Sequence, residues 1–427
     1  MDAIGFALSS VIVLSYGLPH RRSRAVPWAI TLIMLLLRPI CLTYDELYME
    51  ISTGTAAKAF MMLLLALPLL AACRTEGSDE KAKRVEALFD GLIAEGEPGA
   101  AVLVVKDGRA VFDRGWGVAD LRTKRPLGPE TNFRLASVTK QFTAAAVMLL
   151  IRDGKIRYED VLTDIFPGFP EYGRAMTVRS LLDHTSGLPD YEDLMAPPDP
   201  ALPVERVQIS DAEVLELLKR ETAGKFPPGA RWAYSNSGYV VLGLIVAKAS
   251  GRPFGDFLRE RIFLPLGMSG TLAYERGRND VVNRAFGHGR DNGAWVEKDQ
   301  SPTSATLGDG GVYSSLADLL KWDEALRRHA LLSEADMKPA LTPVRAEAGP
   351  PTEPDGSAAD YGFGWFLNPW RGRDRMWHYG ETSGFRTAIQ RFVDDGLTVV
   401  VLCNRDDLDA AALSLETAGI YLGERRP

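Results

Sequence analysis

The sequence predicts an α+β fold, and three observations carry that prediction. Apolar, β-branched runs cluster at two places, Gly99 to Val118 and Arg375 to Leu402, with turn residues such as Asp107-Gly108 and Asp394-Asp395-Gly396 between them. Between these clusters the apolar residues fall at helical spacing, as in Ser137 to Asp153, Ser210 to Arg220 and Tyr239 to Ala249. Strands at both ends with helices between them predict an antiparallel sheet flanked by helices, built from residues 81–135 and 360–427, beside a mostly helical lobe over 137–340. A cleft between two lobes is the default place for a site.

The elements follow in order. Lys81 to Ala94 reads as a helix with Val85, Leu88, Phe89 and Leu92 on one face. Gly99 to Val105 and Ala110 to Val118 read as a hairpin. Thr177 to Leu188 reads as a helix running into a tight turn, which His184 holds by hydrogen bonds rather than acting as a base. Residues 190–204, rich in proline and acid, read as a surface loop, and 270–305 as irregular and polar. Ser210 to Arg220 is a helix with Val214, Leu217 and Leu218 inward. Phe254 to Phe263 is another, ended by Pro265-Leu266-Gly267. Gly308, Gly310 and Gly311 precede a helix over Leu316 to Leu326, capped by Ser315 with Asp318 three residues on. Arg375 to Tyr379, Phe385 to Val393 and Leu397 to Leu402 form a meander, and Asp407 to Tyr421 a closing helix.

With 427 residues, 46% of them hydrophobic and 25% charged, the chain has the composition of a globular protein. A net charge of −7 and the lack of a basic stripe speak against nucleic-acid binding. The cysteines at positions 41, 73 and 403 make no disulfide framework and no zinc pattern. Cys403 sits in an apolar strand and reads as core packing.

Residues 1–78 are different in kind. Phe60 to Ala72, preceded by Lys58, is too short to span a membrane comfortably but fits the apolar region of a signal peptide. It ends in Leu70-Ala71-Ala72-Cys73, which resembles a bacterial lipoprotein signal, in which the cysteine is lipidated and becomes the N-terminus. The competing readings are a plain signal peptide and an uncleaved anchor. The expected organisation is a leader of uncertain role (1–48, with Met49 a candidate late start), a lipoprotein-type signal (49–73), a linker (74–80) and a catalytic domain (81–427). The expected location is the bacterial cell envelope, with the membrane met through the lipid or leader.

The chemistry centres on Ser137-Val138-Thr139-Lys140. A serine at the first turn of a buried helix and a lysine three residues on share a face. The hydroxyl becomes a useful nucleophile when something takes its proton, and a lysine made neutral by burial can do so. Spacing alone is weak, because Ser78-Asp79-Glu80-Lys81 has it too, and an ordinary helix N-cap remains open. Two further stretches add weight. Tyr234-Ser235-Asn236 puts a phenol, which a neighbouring lysine can hold partly ionised, beside an amide able to bind a substrate carbonyl. His378-Tyr379-Gly380 lies on a strand where glycine lets a substrate backbone approach the edge.

Together, and in this order, these stretches resemble the class C β-lactamase-like serine hydrolases, which include β-lactamases, D-alanyl-D-alanine carboxypeptidases and esterases. Leu182 to Leu188 and Gly310-Gly311 belong to the same resemblance, which covers about residues 80–425. It implies the two-lobed serine β-lactamase-like fold and no cofactor or metal. It also implies an acyl-enzyme on Ser137, with Lys140 and Tyr234 moving the proton. The amides of Ser137 and Glu381 would stabilise the oxyanion, while Asn236, His378 and Gly380 face the substrate. One departure matters: true β-lactamases of this class have lysine where His378 stands, and the family's peptidases and esterases often have histidine. Arg386 is either a replacement cation for a substrate anion or a surface residue. The expected substrate is an ester, a D-amino-acid peptide or amide or, weakly, a β-lactam, small or peptidoglycan-type, and nothing demands more than a monomer. The alternatives are a penicillin-sensing or cell-wall-binding lipoprotein that acylates with little turnover, and a purely structural surface protein.

Overall fold

The computed structural model describes residues 79–352 and 359–423. The leader and signal segment lie outside the described residues, as do the expectations placed on Cys41, Met49 and Cys73.

Five strands form one sheet in the order β2-β1-β10-β9-β8, every neighbouring pair antiparallel. They are β1 (Ala100–Lys106), β2 (Arg109–Trp116), β8 (Met376–Thr382), β9 (Phe385–Phe392) and β10 (Leu397–Cys403). Both ends of the described chain therefore share one sheet, and Ala100 faces Cys403 across it. Strand β10 reads Leu-Thr-Val-Val-Val-Leu-Cys and is buried at every position, as a central strand covered on both faces requires.

Two apolar layers cover those faces. On one, Val102, Val399, Val401 and Cys403 pack with Val85 and Phe89 of α1 (residues 79–90) and with Ala410, Leu413 and Ala418 of α7 (Ala410–Leu422). Helix α1 ends earlier than the spacing predicts, which leaves Leu92 41% exposed instead of on the buried face. Cys403 is fully buried, and burial pushes its thiol up to about 12. On the other face Leu103, Ile389, Val400 and Leu402 meet Phe142, Val147 and Leu149 of α2 (Lys140–Arg152). Helix α2 is buried continuously from Lys140 to Leu150, which its Ala144-Ala145-Ala146 run permits by letting neighbours pack close. Around it stand α3 (Val178–Leu182), α4 (Asp211–Arg220), α5 (Asn236–Ser250) and α6 (Leu316–Arg327). Ser315 caps α6 by accepting from the Asp318 amide, as predicted. Asp323 Oδ1 of α6 receives hydrogen bonds from Arg391 at 2.7 Å and Thr398 at 2.6 Å, pinning that helix to the sheet through a buried carboxyl.

The expectation of an irregular 270–305 segment is corrected. It contains β4 (Leu272–Ala273) and a hairpin of β5 (His288–Asp291) and β6 (Ala294–Glu297), turned at Asn292-Gly293 with φ of 47° and 84°. That dipeptide is the strong hairpin signal, and polar side chains on an exposed ribbon masked it. A second small sheet, β3-β7-β4, uses β3 (Phe133–Arg134) and β7 (Val312–Ser314). Pairing of Phe133 with Ser314 and Arg134 with Tyr313 brings the chain entering Ser137 beside the chain leaving Asp309-Gly310-Gly311.

Candidate active site

Ser137 lies in a single 3-10 turn, Ala136–Thr139, between β3 and α2. Neither that turn nor α2 has a side-chain cap, so the N-cap reading of Ser137 falls away. Ala136 takes φ 48°, a left-handed value that a residue with a Cβ adopts at a cost of order 1–3 kcal/mol and that clusters at functional sites. The sheet holds this backbone in place: Thr387 Oγ1 donates to the Leu135 carbonyl at 2.7 Å. Gly380 of β8 lies against it too. A Cβ there would come 2.3 Å from the Leu135 oxygen and 2.9 Å from the Ser137 nitrogen. Glycine is needed at 380, but the backbone that approaches it is the protein's own.

Lys140 is fully buried, and its three N–H directions have three acceptors: Ser137 Oγ at 2.9 Å, Asn236 Oδ1 at 2.8 Å and the Asp309 carbonyl at 3.0 Å. A neutral amine keeps two N–H groups for Asn236 and Asp309 and turns its lone pair to the serine O–H. The same geometry thus serves both sides of a proton transfer. Desolvation brings Lys140 down to about 8, against the opposing pull of the Asp309, Asp190 and Glu192 carboxyls. The surroundings therefore permit a neutral lysine near physiological pH.

Tyr234 hydrogen-bonds Ser137, and its ring lies under the Lys140 ammonium, 4.9 Å to the centroid. Its ring is partly open, but the hydroxyl is enclosed, and desolvation raises its pKa well above the ordinary phenol value. The partly ionised phenol expected from sequence is corrected here: Tyr234 stands protonated, as a donor. Asn236 is the first residue of α5 and is fixed at both ends of its amide, Oδ1 receiving from Lys140 and Nδ2 donating to Glu192 Oε1 at 3.0 Å. Asp190 Oδ2 accepts from the Asn236 main-chain amide at 2.8 Å, and Ser237 Oγ accepts from the Tyr191 amide at 2.7 Å.

The start of the supposed surface loop is thus laced to α5 at the site. Asp190, Tyr191 and Glu192 are neighbours of the site that the sequence reading missed. The available signal was Tyr191, an aromatic in a polar stretch, which proves fully buried.

The two histidines are neutral by burial. His184, at φ 61°, accepts from the Ser235 amide through Nδ1 at 3.1 Å, and its carbonyl accepts from the Ala233 amide at 3.0 Å. Its ring lies 4.4 Å from that of Tyr234, so it supports the tyrosine from below. Desolvation lowers its pKa well below the usual value. His378 is likewise buried, with Nδ1 2.6 Å from the Tyr379 carbonyl and Nε2 3.3 Å from the Tyr361 hydroxyl; desolvation and Lys140 push it down to about 3. It supplies shape and hydrogen bonding here, not a cation.

Arg386 is corrected as a candidate anion site. Side chains alternate along a strand, and Thr387 and Phe385 point to the face that carries Ser137. Arg386 and its cross-strand partner Glu381 point the other way. Its guanidinium donates to the carbonyls of Thr382 and Phe385, both at 2.8 Å, within its own hairpin. Glu381 keeps an exposed side chain, so any part it takes falls to its main chain.

A serine whose proton can pass to a desolvated lysine is the equipment of hydrolases that use a serine nucleophile, and this chain is a hydrolase of that class. Comparison with known proteins makes the assignment specific. The Beta-lactamase family model matches residues 85–420, and the chain belongs to that family. It is 34% identical over 341 residues to penicillin-binding protein 4* of Bacillus subtilis (strain 168), covering 77% of this chain and 72% of the relative. It is 31% identical over 336 residues to a D-aminopeptidase of Brucella anthropi, covering 76% of this chain but 59% of that relative, so it spans less than two thirds of that protein's length. Among solved structures, D-amino acid amidase from Ochrobactrum anthropi SV3, complexed with L-phenylalanine amide, superposes with a TM-score of 0.66 at 25% identity, covering 82% of this chain and 97% of the other.

Proposed function

We propose that the protein forms an acyl-enzyme on Ser137 and hydrolyses amides or esters of D-amino acids whose α-amino group is free. The observation that carries this reading is the exposed Glu192 carboxylate, hydrogen-bonded to the same Asn236 amide that bonds Lys140. Asp190 adds a second negative charge alongside. A protonated α-amino group beside a scissile carbonyl matches that acid pair. A substrate carboxylate finds a neutral His378 and an Arg386 on the far face. The names of two relatives, D-aminopeptidase and D-amino acid amidase, support the same class.

The geometry supports these steps. Ser137 attacks the carbonyl carbon as Lys140 takes its proton. The main-chain amides of Ser137 and Glu381 are assigned to the oxyanion, a contribution of a few kcal/mol per donor. The remaining N–H of Asn236 orients the acyl group. Tyr234, a protonated phenol, hands a proton to the leaving amine and is restored from Lys140. Water then releases the acyl group by the reverse path.

The test compares a D-amino-acid 4-nitroanilide, its L-isomer and its N-acetyl form on wild type and Glu192→Gln. N-acetylation and Glu192→Gln are each expected to lower kcat/KM roughly tenfold or more, mostly through KM, as loss of a charge-assisted hydrogen bond does. Equal turnover of free and acetylated substrates would overturn the assignment. A stable penicillin adduct with no turnover of amides or esters would make the protein a sensor instead.

The Leu70-Ala71-Ala72-Cys73 box supports export and lipid attachment at Cys73, with the catalytic domain held at the cell envelope. Labelled palmitate is expected to enter the wild-type chain in bacterial cells and not Cys73→Ser; equal labelling of both would refute the anchor.

A further inference from the structure

Asp309 takes part in the site twice, and sequence reasoning passed over it. Its main-chain carbonyl accepts from Lys140 Nζ at 3.0 Å. Its side chain is buried, with Oδ2 accepting from the Tyr191 hydroxyl at 3.1 Å, Thr306 hydrogen-bonding the same carboxyl, and Oδ1 without a hydrogen-bond partner among the described residues. On another side stands Arg134, 3% exposed, with Nη2 donating to the Ser304 carbonyl at 3.0 Å and Nε and Nη1 unpartnered. A buried carboxyl is costly unless hydrogen bonds and nearby charge compensate it. Desolvation raises the Asp309 pKa, and Lys140 and Arg134 are the cations that oppose it. The pairing of β3 with β7 fixes this arrangement, since Arg134 precedes Ser137 by three residues and Asp309 precedes β7 by three.

We infer that Asp309 is a positioning residue for proton transfer at Ser137, its carbonyl aiming Lys140 and its carboxylate, held by Tyr191, setting the charge that Lys140 carries when substrate arrives. The inference rests on the serine–lysine reading of the site but not on the identity of the substrate. The other groups facing Lys140 are the rings of Tyr234 and Tyr239, the carboxylates of Asp190 and Glu192, and the neutral rings of His184 and His378. Among these carboxylates Asp309 pulls hardest toward the ammonium form, opposing desolvation. Asp211, the first residue of α4, faces Asp309 and is itself pushed up to about 8 by burial, so it titrates in the same range.

The experiment is the pH profile of kcat/KM for 4-nitrophenyl acetate, an uncharged probe that asks nothing of Glu192. Asp309→Asn keeps the carbonyl contact and removes the charge. Its acidic limb is expected to move down by about one pH unit, the scale of a single adjacent charge. Asp309→Glu is expected to restore much of the original limb. Asp211→Asn is expected to leave it in place, separating the two carboxyls. If Asp309→Asn does not fold, Tyr191→Phe weakens the same carboxylate and is expected to move the limb in the same sense by less. Folded variants with an unmoved limb, or with activity lowered equally at every pH, would overturn the inference and reduce Asp309 to a structural role. Turnover persisting in Ser137→Ala would overturn the serine reading itself; an inactive Ser137→Ala with an unmoved Asp309→Asn limb would overturn only this inference.

Discussion

Ser137→Ala is expected to lower kcat by about 10⁴ or more on every substrate the protein turns over, because no second nucleophile can inherit the lysine. The other two acceptors of Lys140 are the Asn236 amide oxygen and the Asp309 carbonyl, and neither can form an acyl intermediate. The change removes one hydroxyl and leaves those two hydrogen bonds in place, so melting is expected to stay within about 1 kcal/mol of wild type. Intact mass after incubation with a penicillin is the companion reading. An adduct on wild type alone establishes Ser137 as the acylated residue, and an adduct on both places the nucleophile elsewhere.

Lys140→Met is expected to cost about 10²–10⁴ in kcat, the usual worth of a positioned general base. Methionine fills the buried position with nearly the same volume, so folding should survive. Lys140→Arg is the sharper variant, since guanidinium keeps the charge but cannot give up its proton, and it is expected to rescue nothing.

The pH dependence follows from the same group. Burial brings Lys140 down to about 8, and in the proposed mechanism the base is its neutral form. With 4-nitrophenyl acetate, kcat/KM should therefore rise roughly tenfold per pH unit below about 8 and flatten above it. Tyr234 imposes no falling limb at moderate pH, because burial keeps its phenol protonated well past the ordinary range. A profile flat from pH 6 to 9 would mean that lysine is not the base.

Much of this site was legible in sequence because its first layer is local. Ser137 and Lys140 share a helical turn, and Tyr234 and Asn236 share the start of another. What stayed hidden is the layer behind, made by contacts between segments far apart in the chain. Asp309 reaches Lys140 only because β3 pairs with β7, two strands too short to leave an apolar signature. Asp190 and Glu192 sit in a proline-rich acidic stretch that composition alone assigns to solvent. The fate of Arg386 turned on which side of a strand it occupies, and a one-residue difference in register decides that. Protonation states are hidden for the same reason: the neutral His378 and protonated Tyr234 follow from enclosure, which only the folded chain creates.

The closing of the sheet has a consequence for how the protein is made. The Gly99 amide donates to Asn404 at 2.8 Å across 305 residues of sequence, and β1 lies between β2 and β10. A chain emerging from the ribosome carries the serine and lysine early. The strand that presses glycine against the nucleophile backbone comes more than two hundred residues later. Pairings of such separation form late and slowly. Until then the edge of β1 that pairs with β10 stands unpaired. Truncated products would own the catalytic residues without the wall that aligns them.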